Sequence, residues 1–315
     1  MTGARPSSVT ATAPAKVNLC LGVGPARPDG FHALATVYQA VGLLDRVTVR
    51  DADDVTVTVR AARDAAPATV AGVPTDEANI AVRAARLLAG HHGASRGAAI
   101  HIDKAIPVAG GLAGGSADAA AALLACDALW QLGTPWDELL SLAGQLGSDV
   151  PFALVGGTAV GSGRGEVVTP LICGGDYWWV VLESSVGLAT PEVYRAFDVL
   201  AQSRSVPEPE VPAPLLEALR AQDVEKLGAA LENDLQPAAL HLRPELRSAL
   251  ELGGSRAPQV HGVLLSGSGP SCLFLCGSHA DAVQLAAELD DAGHGPVAVA
   301  PGPVPGARLL PPEDV

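Results

Sequence analysis

Pro107, Val108, Ala109, Gly110, Gly111, Leu112, Ala113, Gly114, Gly115, Ser116 and Ala117 run through Asp118 into an alanine-rich stretch over 119–132. Glycines let backbone N–H groups approach an anion with no Cβ in the way, and a following helix presents unpaired N–H groups and a partial positive charge at the same point. The run therefore predicts a phosphate-binding loop feeding a helix. Alanine is the best helix former, Ser116 or Asp118 supplies a cap, and Gly133 stands where the helix should stop. Neither of two familiar glycine loops fits: Gly115-Ser116 lacks the lysine of a P-loop, and the spacing does not give G-x-G-x-x-G. Taken alone, the run also reads as a Gly/Ala-rich packing turn.

The chain has 315 residues, more than one core usually organises, which predicts two domains, 1–170 and 171–315. A net charge of -14 excludes a non-specific nucleic-acid binder, because no basic stripe exists to displace counterions. A phosphate site in so acidic a chain must be built locally, from backbone N–H groups, a few cations and a divalent metal. The five cysteines (Cys20, Cys126, Cys173, Cys272 and Cys276) are scattered without a C-x-x-C pair and read as reduced, mostly buried thiols. No 18-residue apolar run exists and residues 1–16 hold no hydrophobic leader core, so the expectation is a soluble, cytoplasmic protein with no membrane partner.

Strand patterns fall at 9–13, 16–23, 36–43, 46–51 and 55–60, the last alternating Val and Thr. Helical patterns follow at 80–91, 119–132 and 136–146, the third with Thr134 as cap and Pro135 in its first turn. A strand pair is expected near 158–161 and 166–171, and a strand at 178–183. Beyond these come a Pro-rich surface connection at 203–214, helices at 215–231 and 244–252, strands at 262–266 and 271–276, a helix at 279–292 and a strand at 296–300. Strands and helices mixed in both halves indicate an α+β fold, with a mobile Pro-rich tail from Pro301.

Lys16 stands out because the chain uses 17 arginines and three lysines, the others being Lys104 and Lys226. A lysine kept where arginine is preferred points to a compact ammonium beside a phosphate or a carboxylate, and Lys104 reads as a supporting charge near the loop. Asp149 sits in a turn just after a helix stop. Such a residue either bonds its own backbone or, held beside a lysine, takes the proton from a hydroxyl attacking a phosphoryl group. The turn containing Gly267, Ser268 and Gly269 brings further N–H donors or is an ordinary hairpin turn.

Together, residues 13–19, 107–120 and 265–270 resemble the three signature motifs of the GHMP kinases, small-molecule kinases related to galactokinase, homoserine kinase and mevalonate kinase. Within them, residues 28–32 and 147–152 are similar to the branch that phosphorylates a cytidylyl sugar alcohol on the non-mevalonate route to isoprenoid precursors. The resemblance covers nearly the whole chain, most weakly at 51–75 and in the tail.

This resemblance implies an N-terminal domain carrying the ATP loop, a ferredoxin-like C-terminal domain, and both substrates in the cleft between them. It implies ATP and Mg2+ as cofactors, Asp149 as base, Lys16 as its partner, residues 107–117 as the phosphate cradle, and Asn79 beside the adenine. Phe31 and Tyr194 would sandwich the cytosine, His32 would bond its edge, and Asn18 and Thr190 would meet the sugar alcohol and diphosphate. Ala113 and Ala117 depart from the usual Gly and Ser, the second removing a hydroxyl from the neighbourhood of phosphate and metal and leaving Ser116. The rivals are a mevalonate- or homoserine-type kinase, which needs no aromatic slot, and a catalytically silent nucleotide-binding protein, which needs neither Lys16 nor Asp149.

Overall fold

The computed structural model describes residues 6–28, 30–63, 65, 70, 72–108, 110–184, 187–202 and 206–311. Its first sheet is built on two long strands, β1 (Ser8–Ala26) and β2 (His32–Ala52), paired antiparallel. The sequence pattern divides each of them in two. They run through because the breaks are absorbed as bulges, with register shifts at Pro14/Ala15 and Asn18/Cys20, and a bulge is one of the few places a strand tolerates proline.

β3 (Val55–Ala61) and β4 (Gly97–Lys104) extend the sheet beyond β2, and β5 (Thr158–Ser162) and β6 (Val167–Pro170) add a further hairpin to it. Against the sheet pack α1 (Ile80–His91), α2 (Gly114–Trp130) and α4 (Val150–Val155), and α3 (Trp136–Leu146) packs on these three helices. α1 and α3 keep the limits their periodicity predicts. α2 is buried on all sides, from Ala117 through Ala122 to Trp130, which is why its sequence is alanine-rich rather than amphipathic.

Three local expectations are corrected. α2 begins at Gly114 rather than at residue 119, so neither Ser116 nor Asp118 caps it, and the cap position is Ala113 in the left-handed region. A Cβ on Gly114 would lie 2.9 Å from Lys104 Nζ and 3.0 Å from Ile106, so close packing demands glycine in this first turn. Thr134 does not cap α3: its N–H and hydroxyl both donate to Asp127 Oδ1.

The second sheet holds β7 (Tyr177–Leu182), β9 (Val260–Leu265), β10 (Cys272–Cys276) and β11 (Val297–Gly302) in the antiparallel order β11-β7-β10-β9, after the two-residue β8 (Glu232–Asn233) has paired with β1. Helices separate β7 from β9 and α10 (His279–Asp291) separates β10 from β11, which is the βαββαβ arrangement of a ferredoxin-like domain. Between β7 and β9 lie α5 (Thr190–Ala201), α6 (Ala213–Ala221), α7 (Val224–Ala229), α8 (Gln236–Leu242) and α9 (Leu246–Gly254). The single helix expected at 215–231 is thus two, divided where Gln222 turns left-handed and Asp223 caps α7. α5 and α8 were not foreseen.

β7 joins the two halves. Tyr177, Trp179 and Val181 face one core, Val180 and Leu182 the other, and the Trp179 indole donates to Gln39 Oε1 of β2 at 2.8 Å. Between 301 and 311 the tail is not loose: β12 (Arg308–Leu309) pairs with β1, and Ala307 N donates to Ala153 O at 2.8 Å, while residues 312–315 lie outside the described residues. Proline-rich composition there marks backbone pinned by sheet edges, not freedom. No helix among the described residues is long and apolar enough to cross a membrane.

Candidate active site

A cleft of about 810 Å³ opens where the glycine loop, the middle of β1, the start of β2, the start of α5 and the 266–270 turn converge. That is ample for a small-molecule site. Lys16, Asn18, Phe31, His32, Asn79, Asp149, Thr190 and Tyr194 all line it, as do Pro107, Val108, Gly110, Gly111, Ala113, Gly114, Gly115, Gly267 and Ser268. Leu112, Ser116, Ala117 and Gly269 do not, and Ala109 lies outside the described residues. Leu112 and Ala117 are buried, and the Gly269 N–H is spent on Ser266 O at 2.7 Å.

Hydrogen bonds tie the glycine loop to β1 and to the 266–270 turn. Lys16 N donates to Leu112 O at 3.1 Å and Ser266 Oγ donates to Gly111 O at 2.9 Å. A side chain on Gly111, at φ 75°, would collide with the Ser266 carbonyl, so glycine is required there. Asn233 Nδ2 donates to the carbonyls of Leu265 and Gly267, at 2.9 and 2.7 Å, and steadies the far turn.

Lys16 and Asp149 meet: Nζ is 4.0 Å from Oδ2, with the lysine side chain nearly buried and the carboxylate partly open. Asp149 occupies the cap position of α4 without bonding its backbone N–H groups, so its carboxylate is left for the cleft. Lys16 Nζ also donates to Asn18 Oδ1 at 2.7 Å, and Asn18 Nδ2 to Thr36 Oγ1 at 2.8 Å. These two bonds tie Asn18 to the lysine while it still lines the cleft. Tyr38, which the motifs do not include, lies under Lys16 at 5.8 Å from ring centroid to Nζ; burial first, and then the Asp149 carboxylate, hold its hydroxyl well above the usual tyrosine range.

Beneath the loop lies a buried triad. Lys104 Nζ bonds Asp118 Oδ2 at 2.9 Å and Asp45 Oδ2, while Asp45 Oδ1 accepts from Ala105 N and Ile106 N at 2.7 and 2.9 Å. Burial works against the Lys104 ammonium, but the two carboxylates outweigh it and raise its pKa. Burial, and next Asp45, push Asp118 well above the ordinary carboxylate range. Its Oδ1 is buried with no hydrogen-bond partner among the described residues. Lysine usage marked Lys104 as a charge near the loop, but its partners, 59 and 14 residues away, left no local signal.

At the other end of the cleft the His32 ring packs on Tyr194, centroids 5.0 Å apart, and Phe31 is 51% exposed with the Arg164 guanidinium 5.0 Å above it. Burial, and then Asp149, push the Tyr194 hydroxyl up to about 12. Arg164 and Arg195, both cleft residues, were not among the expected ones, since seventeen scattered arginines give no pattern. Thr190 Oγ1 is 2.8 Å from Ser268 Oγ, joining α5 to the glycine turn. Asn79 caps α1, accepting from Ala81 N at 2.9 Å and donating to Pro74 O at 2.7 Å.

No cluster of three His, Cys, Asp or Glu side chains among the described residues could hold a metal. The five cysteines are free thiols, and burial pushes Cys20, Cys126, Cys272 and Cys276 up to about 12, which keeps them unreactive.

A glycine loop on a buried helix, a facing glycine turn and a Lys–Asp pair in one cleft define a small-molecule kinase site. Family models for the N-terminal domain and the C-terminal region of the GHMP kinases match residues 79–157 and 215–295, and the chain belongs to that class. It is 58% identical over 303 residues to a 4-diphosphocytidyl-2-C-methyl-D-erythritol kinase of Nocardioides sp., covering 95% of this chain and 98% of the relative. To the enzyme of that name from Thermobifida fusca it is 52% identical, covering 97% and 99%.

A crystal structure of a 4-(cytidine 5'-diphospho)-2C-methyl-D-erythritol kinase superposes with a TM-score of 0.75 at 33% identity, over 94% of this chain and 99% of the other. A homoserine kinase from Cytophaga hutchinsonii matches at 0.74 with 20% identity, over 98% and 99%, and so shares the fold. Within the GHMP kinases, the chain belongs to the 4-diphosphocytidyl-2-C-methyl-D-erythritol kinase family.

Proposed function

We propose that this chain transfers the γ-phosphoryl group of ATP to the 2-hydroxyl of 4-diphosphocytidyl-2-C-methyl-D-erythritol. The observation that carries the reading is the Lys16–Asp149 pair, 4.0 Å apart, in one cleft with the glycine loop on one side and an aromatic pocket on the other. A small acyclic alcohol such as mevalonate or homoserine needs no ring to stack on. A cytosine does, and stacking on an aromatic ring contributes about 1–3 kcal/mol.

In this account the loop N–H groups hold the ATP phosphates and the positive end of α2 favours their charge. Asp149 takes the proton from the acceptor hydroxyl as the oxygen attacks phosphorus in line with the departing ADP oxygen. Lys16, oriented by Asn18, offsets the charge gathering on the transferred group. Asn79 borders the adenine end. Phe31, Tyr194 and His32 take the base, and Thr190 with the cleft arginines meets the diphosphate side.

Magnesium fits without a protein cage, since it is commonly held by one or two carboxylates together with nucleotide phosphates. Asp118, a cleft residue whose buried Oδ1 has no hydrogen-bond partner among the described residues, is the donor this chain offers, Ser116 lying outside the cleft lining and Ala117 contributing only a buried methyl group. The metal would neutralise phosphate charge. The division between domains falls near residue 170, and the protein works in the cytoplasm.

The test is transfer from labelled ATP to a panel containing the cytidylyl erythritol, mevalonate and homoserine. The cytidylyl alcohol alone is expected to accept phosphate. Transfer only to another alcohol would replace the substrate, and ATP binding with no transfer to any would favour a silent nucleotide-binding protein.

A further inference from the structure

His32 opens β2 as a buried residue, its ring 33° from the plane of Tyr194 and edge-on to Phe197 at 6.0 Å. Its Nε2 lies 2.9 Å from Asp198 Oδ1. Asp198 follows Tyr194 by four residues on α5, so the ring that packs on the histidine and the carboxylate that bonds it share one helix face. An ionised carboxylate only accepts hydrogen bonds, so the proton of this bond belongs to Nε2. In neutral imidazole the other nitrogen, Nδ1, then carries a lone pair.

We infer that Asp198 is a specificity-determining positioning residue: it fixes His32 in the Nε2–H tautomer, so that the ring presents an acceptor to the base. The inference rests on the proposed cytidylyl substrate. An acceptor at Nδ1 suits the 4-amino group of cytosine, a donor, and opposes the 4-oxo group of uracil, an acceptor. With the opposite tautomer the ring would present N–H and the preference would reverse. Thus a residue outside the family motifs sets which pyrimidine the histidine reads.

A purely structural role is a poor account of Asp198. Its side chain is 46% exposed, and exposed ion pairs add little to stability. Truncation should leave the fold in place and change the ring.

The test uses Asp198→Ala and Asp198→Asn in the full chain, the second keeping an oxygen that can accept from Nε2. Two-bond ¹H–¹⁵N correlation spectra report which His32 nitrogen is protonated. Steady-state kinetics with the cytidylyl acceptor and its uridylyl analogue report base preference. Wild type and Asp198→Asn are expected to show the Nε2–H pattern. Asp198→Ala should lose it, and its cytidylyl preference should fall about tenfold through the acceptor KM, with the ATP KM unmoved.

A proton on Nδ1 in the wild type, or unchanged spectra and preference in Asp198→Ala, would overturn the inference. Wild-type enzyme that phosphorylates neither pyrimidine acceptor would instead defeat the proposed reaction and the base-reading half of this inference with it. The spectra would still decide the tautomer.

Discussion

Replacing Lys104 with methionine removes the one cation in the buried triad while keeping most of the side-chain volume. Asp45 retains two backbone N–H donors, from Ala105 and Ile106, and stays partly satisfied. Asp118 is different: its Oδ2 loses the ammonium at 2.9 Å and its Oδ1 has no hydrogen-bond partner among the described residues to begin with. Breaking a buried pair by removing one member costs about 3–5 kcal/mol. Asp45's backbone bonds, and the readiness of Asp118 to take up a proton, place this variant near the lower end, about 3 kcal/mol. Set against a total of about 5–15 kcal/mol, the loss should be plain in urea unfolding followed by the fluorescence of buried Trp130 and Trp179.

The same variant frees the loop entry and the first turn of α2 from their common anchor, so the ATP KM should rise as well. Adding Asp118→Leu, which removes the stranded carboxylate, should recover part of the stability. The pH dependence has a definite sign. The folded chain holds the Asp118 proton more tightly than the unfolded chain, so this contribution is full below the unfolded value of about 3.9 and is lost as pH rises through the folded pKa. Asp118→Asn should therefore flatten the decline in stability above that pH. A Lys104→Met loss under about 1 kcal/mol, a surface-pair value, would refute the reasoning.

Lys16→Arg should lose most turnover although charge is kept, because the compact Nζ is bonded to Asn18 Oδ1 at 2.7 Å with Asp149 Oδ2 4.0 Å away, and a planar guanidinium on a longer stem cannot take the same place. A near-normal kcat would make Lys16 a bystander. Ala113→Gly should raise the melting temperature or leave it unchanged, since Ala113 holds φ at 58°, where a Cβ costs about 1–2 kcal/mol. A clear fall in thermal unfolding would show that the left-handed cap is not strained.

Local chemistry was legible and long-range chemistry was not. α1 and α3 could be bounded from periodicity and their flanking residues because those signals lie within the helices themselves. The start of α2 was misread because Gly114 and Gly115 look like loop, and only the crowding of Gly114 by Lys104 and Ile106 explains a glycine in the first turn of the helix. Pro14 suggested a break in β1 where the fold makes a bulge, and the proline-rich tail concealed a strand because its partner is some 300 residues away.

At the site, Lys16, Asp149 and the glycine loop could be named from motifs, whereas Tyr38, Lys104 with its carboxylates, Arg164 and Asp198 are brought to the cleft or beneath it by contacts that no spacing encodes. Asn18 shows the middle case: its motif position was visible, but its bond to Lys16 was not.

The most direct test of the account is Asp149→Asn assayed with ATP and the cytidylyl erythritol, with product formation followed by ³¹P NMR and ATP affinity measured separately by titration. The account predicts a fall in turnover of about 100- to 10,000-fold with ATP affinity nearly intact, because the proton acceptor is lost while the loop is untouched. Turnover above half the wild-type rate would contradict it.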